Sequence, residues 1–462
     1  MSGPEVAAPP ARRVRYGVLA GALLSLELVA GVQSVLLSTV VPVVAQDLDA
    51  HEYYGVIVGS AQVAMFLTMP LGPALLQRFR VDRVLLHLTT LAVAGGVASA
   101  LAPSTGVFVL GRAATGLASG ALATVSLAAI VTVLPPAWRR GVLAGYNVMW
   151  VAISLVGPLY AGWVTAALSW RWALVLYLPL LVVARLVVAR QLSGRMRPEG
   201  ERQPLGLGSA AVLATGVALL SVVGLRALPA GWAVAAGVGG AAVALVATRR
   251  LLPAGTLRAR PGRPAAVATF ALVCAAYFGA SGIVAVVVHD LLGGTTRDVV
   301  LVLGGSALGW AVAGLGVSRW PAALPGGYVR RSTLGAVLLA AGVLAVAAAV
   351  LAEPAAPRVG TALAGWAASG VGIGLVYLET LNRVVDAPRE ADGITVPQAA
   401  AAVVIAESVA TAVTQTLGAA SVGRGVAGGG GQVAAVAVLV GSAVLALAVL
   451  PGARRAVRGP AS

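Results

Sequence analysis

Residues 111–120 read GRAATGLASG, and residues 365–374 read GWAASGVGIG. Aligned, they share glycine at the first, sixth and tenth positions and alanine at the third and fourth. Each lies early in a long apolar run that ends in a similar loop, PAWRRG at 136–141 and PREADG at 388–393. The pairs Gly116/Gly120 and Gly370/Gly374 have the small-xxx-small spacing that lets helices in a membrane approach closely. A helix that occurs twice in one orientation points to a parallel internal repeat, the build of one large transporter class.

The surrounding composition agrees. Of 462 residues, 59% are apolar and 10% charged, whereas soluble domains carry about 25% charged residues. A span of roughly 20 apolar residues crosses a bilayer. By that criterion the chain is all-α with fourteen transmembrane helices, near 17–45, 53–76, 84–102, 106–134, 141–168, 171–190, 206–225, 231–249, 264–288, 299–318, 332–352, 359–381, 395–420 and 432–451. An even number places both termini on one side. The N-terminal apolar run is too long for a signal-peptide core and has no clear cleavage site, so the first helix is expected to be retained.

Arginine placement tests this layout through the positive-inside rule. The segments on the side of the termini hold clusters such as Arg12, Arg13 and Arg15, Arg78, Arg80 and Arg83, and Arg249, Arg250, Arg258, Arg260 and Arg263. The loops of the other side hold only Arg171, Arg226, Arg297, Arg358 and Arg424. Both termini are therefore expected in the cytoplasm, and the protein in the cytoplasmic (inner) membrane as a multi-pass monomer. The net charge of +16 follows from this topology and needs no nucleic-acid partner. The single Cys274 excludes disulfides within the chain and cysteine metal sites.

The repeated stretches fall in the fourth and twelfth helices, eight apart. The expected organisation is a six-helix bundle (1–190), linkers with an inserted helix pair (191–263) and a second six-helix bundle with a short basic tail (264–462). The Arg-rich loops at 77–83 and 318–331 form a weaker echo of the same repeat.

The glycines recur in both copies, but Arg112 faces Trp366 in the alignment, so the scaffold does not require a cation there. A charge in the bilayer costs at least about 2.5–3.5 kcal/mol and marks function by default. The alternative is snorkelling, because Arg112 lies only roughly 9 Å from its helix end. Few acids fall inside spans. Glu407, near the middle of the thirteenth helix, is the first candidate for proton coupling, with Arg112 and Glu27 beside it. An acid whose surroundings alternate between apolar and wet can carry protons; a protonated packing contact is the plainer reading. Glu379 lies near a helix end and could reach water, while Asp47, Asp49 and Glu52 belong to a loop expected to be solvated. Gln33, Tyr146, Asn147, Trp150 and Tyr277 could line a central substrate cavity or simply pack helices.

Taken together, these segments resemble the major facilitator superfamily, and within it the fourteen-helix drug:proton antiporter branch, across almost the whole chain. GRAATGLASG resembles that branch's helix-4 arginine motif. VGPLYAGWV at 156–164 resembles the antiporter motif of helix 5, with Gly157, Pro158 and Gly162 kept and Leu155 in place of a glycine. SWRWALVLYLPL at 169–180, VQSVLLSTVVPVVAQDL at 32–48 and the linker RRLLPAGTLRARPGRPAAVA at 249–268 resemble further elements. The resemblance makes PLGPALLQRFRVDR the gating loop, with Gly72, Arg78, Asp82 and Arg83, although Gln77 stands where an acid is usual. Gln33 likewise occupies a position where an acid is common.

The resemblance implies a secondary active exporter that works by alternating access. It would exchange protons for a moderately apolar or cationic small molecule, such as a drug, an antibiotic or a similar metabolite, with a proton gradient in place of any cofactor. A proton-coupled uptake symporter and a lipid translocase of the same fold are the alternatives. An enzyme is not expected. His51, His87 and His289 sit at helix ends, and the metal, nucleophile and nucleotide motifs of catalysis are missing.

Overall fold

The computed structural model describes residues 15–192, 207–322, 324–352, 358–385, 394 and 396–458. The side chains of Gln77, Tyr146, Asn147 and Trp150 lie outside the described set. Among the described residues the regular structure is helical throughout. The first group comprises α1 (Tyr16–Asp47), α2 (Tyr54–Thr68), α3 (Leu71–Arg78), α4 (Val81–Ala100), α5 (Thr105–Val133), α6 (Pro136–Ala167), α7 (Trp170–Ala173) and α8 (Leu178–Leu192). A pair follows, α9 (Leu207–Ser221) and α10 (Ala230–Leu251). The last group comprises α11 (Arg263–Val286), α12 (Thr296–Arg319), α13 (Pro325–Leu351), α14 (Arg358–Val385), α15 (Val396–Ala427), α16 (Gly431–Leu447) and α17 (Val449–Ala456).

Among the described residues, twelve helices are long and apolar enough to cross a membrane. The other two expected spans are helical as well. The one expected at 53–76 is split into α2 and α3 at Met69–Pro70. Proline has no N–H and its ring clashes with the preceding turn, so the ladder breaks there. The one expected at 141–168 falls in the continuous helix α6, of which Leu155–Ala167 is the described apolar stretch. Pro179 acts similarly in the sixth expected span, where a single turn, α7, precedes α8.

The glycine repeat is visible as packing. On α5, a side chain at Gly111 would reach Gly95 O of α4 at 2.7 Å, and one at Gly116 or Gly120 would strike Ala61 or Met65 of α2. On α14, a side chain at Gly365 would reach Gly342 O of α13 at the same 2.7 Å, and one at Gly370 or Gly374 would strike Ser306 or Trp310 of α12. So α5 lies between α2 and α4 as α14 lies between α12 and α13. Both contacts bring backbone to backbone, where hydrogen is the one side chain that fits.

The ends of the assembly are fixed by hydrogen bonds. At the terminal end, Arg15 N donates to Gln191 Oε1 (3.3 Å) and Gly262 N donates to Arg455 O (3.1 Å). At the distal end, Arg171 clamps three segments. Its Nη2 reaches Asp47 Oδ2 (3.0 Å), and its Nη1 reaches Ala100 O (2.9 Å) and Ala102 O (2.8 Å). Trp170 Nε1 adds a bond to the same Asp47 oxygen (3.1 Å), and the Arg171 guanidinium lies over its ring. Asp47, expected to be solvated, is exposed and also ties these segments together. The pair α9–α10 packs beside α2 and α15 around Phe66, Val217, Ala247 and Val409. It is tied there by Arg424, which donates to Leu225 O (2.7 Å) and Leu228 O (3.0 Å). Glu52, also expected in solvent, accepts from Arg226 N (2.9 Å).

A Gly370→Val substitution must push α14 away from the Ser306 backbone, an overpacking effect of about 1–3 kcal/mol. We expect a lower melting temperature or loss of folded protein. Gly441→Ala, with open space around its Cβ, should leave the melting temperature unchanged or slightly higher.

Candidate functional site

Glu407 sits on α15 and is only partly exposed. Tyr377 of α14 donates to its Oε1 from 2.9 Å. Tyr377 is the partly buried end of an aromatic cluster that three helices build. Phe270 and Tyr277 are seven residues apart on α11, and Trp366 and Tyr377 eleven apart on α14, so each pair shares a helix face. Tyr277 stacks on Trp366 at 5.1 Å with an interplanar angle of 6°. Trp310 of α12 meets Tyr277 and Tyr377 edge-on at 5.3 Å each, and Phe270 meets Tyr377 at 4.9 Å. Tyr277 is also hydrogen-bonded to Ser306 Oγ (2.8 Å). Among the described residues the carboxylate therefore has one hydroxyl donor, and behind that donor lie the packed rings.

Arg112 lies on α5 at the position that Trp366 fills on α14. It is partly buried, and its Nε is buried without a hydrogen-bond partner. Tyr177, at the junction before α8, is within electrostatic range of it. No ion pair among the described residues joins Arg112 to Glu407 or Glu27. Glu27 and Gln33 are partly buried along α1, and Tyr277 is buried within the aromatic cluster. Tyr146, Asn147 and Trp150 lie outside the described side chains. Of the antiporter-motif residues, Gly157 faces Val35 of α1, Pro158 sits inside α6, and Gly162 abuts Val300 of α12.

Gly162 marks a seam between the first and last groups of helices, and that seam is tight at the distal end. Tyr54, fully buried at the start of α2, donates to Asp290 Oδ2 (2.5 Å) just beyond α11. The other oxygen of Asp290 is 2.7 Å from His289 Nδ1. Beside them, Gly55 packs on Ala420 and Gly423 on Tyr54. This closure joins residues 236 positions apart in the chain, so no local sequence pattern announces it.

At the terminal end the two echoing loops differ. In the first, Asp82 pairs with Arg80 through two bonds of 3.2 and 3.1 Å in an exposed setting. Arg78 and Arg83 are exposed, while Gly72 abuts Thr124 of α5. In the second, Glu379 accepts from Arg331 and from Ala322 N (2.9 Å) with its side chain 7% exposed. Glu379 was expected to reach water; instead the loop after α12 folds over it. In the register of the glycine repeat its counterpart is the buried Val125, so this ion pair belongs to one half alone.

The model of the Major Facilitator Superfamily matches residues 23–431. The chain belongs to this superfamily. Its twelve candidate spans among the described residues are those of a multi-span membrane protein of this superfamily. It is 30% identical over 175 residues to the Acurin A biosynthesis cluster MFS-type transporter of Aspergillus aculeatus, covering 37% of this chain and 31% of that one. It is 24% identical over 190 residues to the multidrug export protein EmrB of Haemophilus influenzae, covering 41% and 37%. It is 23% identical over 167 residues to the multidrug efflux pump SdrM of Staphylococcus aureus, covering 36% and 37%. These matches span about a third of the relatives' length. Among solved structures, a POT family transporter in complex with 5-aminolevulinic acid aligns with a TM-score of 0.68 at 13% identity, covering 97% of this chain and 98% of that one. The human organic anion transporter MFSD10 aligns at 0.56 and 16%, covering 96% and 100%. At these identities the structural likeness establishes the fold.

The distal closure yields a direct test. A hydrogen bond to a charged group contributes about 1.5–3 kcal/mol. Tyr54→Phe removes it and keeps the ring. With spin labels at positions 104 and 297 in a Cys274→Ala background, the population with a widened distal distance should rise at least about tenfold. An unchanged distance distribution would show that this bond does not hold the seam.

Proposed function

We propose that the protein is a proton-coupled exporter with fourteen spans and both termini in the cytoplasm. It extrudes a moderately apolar or cationic small molecule by alternating access. The observation that carries this reading is Glu407, a carboxylate within a span whose described hydrogen-bond partner is the Tyr377 hydroxyl, set against an aromatic wall. An ionised Glu407 attracts a cation, and ring faces add cation–π attraction of about 0.5–2 kcal/mol. A protonated Glu407 offers no such attraction. Substrate and proton then compete for one group, and competition at one site seen alternately from two sides is sufficient for exchange.

The two helix groups supply the alternation as bundles that rock against one another. The distal seam, with Tyr54–Asp290 and Gly162–Val300, would be the closed gate in this state. Opening it requires those contacts to separate together. Arg112, whose Nε lacks a partner, is available to hold a partner charge or polarise water in another state. The relatives named as multidrug exporters support the drug-like substrate class, and the arginine distribution supports the orientation.

In everted vesicles from a host lacking its own efflux pumps, energisation should drive accumulation of a toxic organic cation. Glu407→Gln should abolish that accumulation while expression persists. Tyr377→Phe should lower it roughly tenfold, in line with loss of a charged hydrogen bond. Arg112→Trp, which copies the second repeat, should fold and lose turnover. Wild-type transport by Glu407→Gln, or accumulation in whole cells with none in everted vesicles, contradicts the proposal.

A further inference from the structure

The linker between α10 and α11 carries charge that the transport mechanism does not use. A cavity of about 390 Å³ opens there, lined by Arg249, Arg258 and Arg260 together with Gly255, Thr256 and Leu257. All three arginines are exposed, and none makes an ion pair with a carboxylate of the described residues. The loop that presents them is tightly built. Arg258 N and Arg260 N both donate to Gly255 O (3.1 and 3.2 Å), and Thr256 Oγ1 donates to Pro253 O (2.8 Å). Gly255 is left-handed (φ 89°), and the stem of Arg260 lies across it, where a Cβ would sit 2.7 Å from Arg260 Cδ. The guanidinium groups are thereby gathered round one opening.

The position selects the ligand. Leu251 ends one candidate span and Arg263 begins the next, so the cavity lies at the level where those spans leave the membrane. Arg249 also continues a stripe on α10. Val234, Val238, Leu245 and Arg249 share one helix face. The first three are 65%, 67% and 56% exposed, so no helix of the described residues covers them. An apolar stripe that leads into three unpaired cations matches an acyl chain joined to a phosphate. Basic pockets of this kind at a membrane surface hold anionic headgroups.

We infer that the α10–α11 linker binds the phosphodiester headgroup of an anionic phospholipid, with an acyl chain along the exposed face of α10. A free phosphate shares the headgroup chemistry but has nothing to place on the stripe. The test is native mass spectrometry of the full chain released from nanodiscs of mixed phosphatidylglycerol and phosphatidylcholine. Wild-type protein should retain phosphatidylglycerol in preference. The variant R249Q/R258Q/R260Q should retain at least about tenfold less. The variant R190Q/R319Q/R330Q loses the same charge at the same end and should retain it as wild type does. If the triple variant does not fold, R258Q alone should lower retention about fivefold. Equal loss in both triple variants, equal retention of the two lipids, unchanged retention in R258Q, or displacement of the lipid by inorganic phosphate overturns the inference.

Discussion

A charge inside a bilayer needs a partner, because water is not there to solvate it. Most of the charged groups that join segments of this protein stand instead at the ends of the helices. Arg171 finds Asp47 and two carbonyls, Asp290 finds Tyr54 and His289, and Glu379 finds Arg331 and a backbone amide. Each of these groups lies at an end of the assembly and ties two or more segments together. Glu407 differs from them. Its described hydrogen-bond partner is a neutral hydroxyl, and no ion pair among the described residues compensates it. Arg171 and Glu379 each face an opposite charge, whereas Glu407 has none among the described residues.

The glycine repeat sets the frame in which that difference matters. Backbone contacts at Gly95–Gly111 and Gly342–Gly365 give the two halves the same three-helix sandwich. The side chains added to the frame are not symmetric. The first half carries Arg112 where the second has Trp366, and the second carries Glu379 where the first has Val125. Trp366 extends the aromatic wall through Tyr277 to Tyr377 and Glu407. The cationic position and the carboxylate position thus lie in different halves.

The glycine spacing made the repeat legible because close packing demands a fixed residue type at a fixed interval. Long apolar runs made the helices legible for the same reason that composition does. The break at Met69–Pro70 could be read from Pro70 itself, yet the apolar run continues across it and masks the stop. Glu407 stood out as a lone acid in a span, but Tyr377 did not, since a tyrosine in an apolar helix has many uses. The Tyr54–Asp290 bond and the burial of Glu379 depend on chain segments far apart in sequence, and nothing local encodes them. Asp47 and Glu52 face solvent as loop acids do, but their bonds to Arg171 and to the Arg226 amide join distant segments and could not be read locally.

The central claim is that Glu407 carries an exchangeable proton in contact with Tyr377. Infrared difference spectroscopy on the reconstituted protein, recorded across a pH titration, reads that proton directly. A protonated-carboxyl stretch that appears on acidification, vanishes in Glu407→Gln and shifts in frequency in Tyr377→Phe is the expected result. The same band persisting unchanged in Glu407→Gln would contradict it.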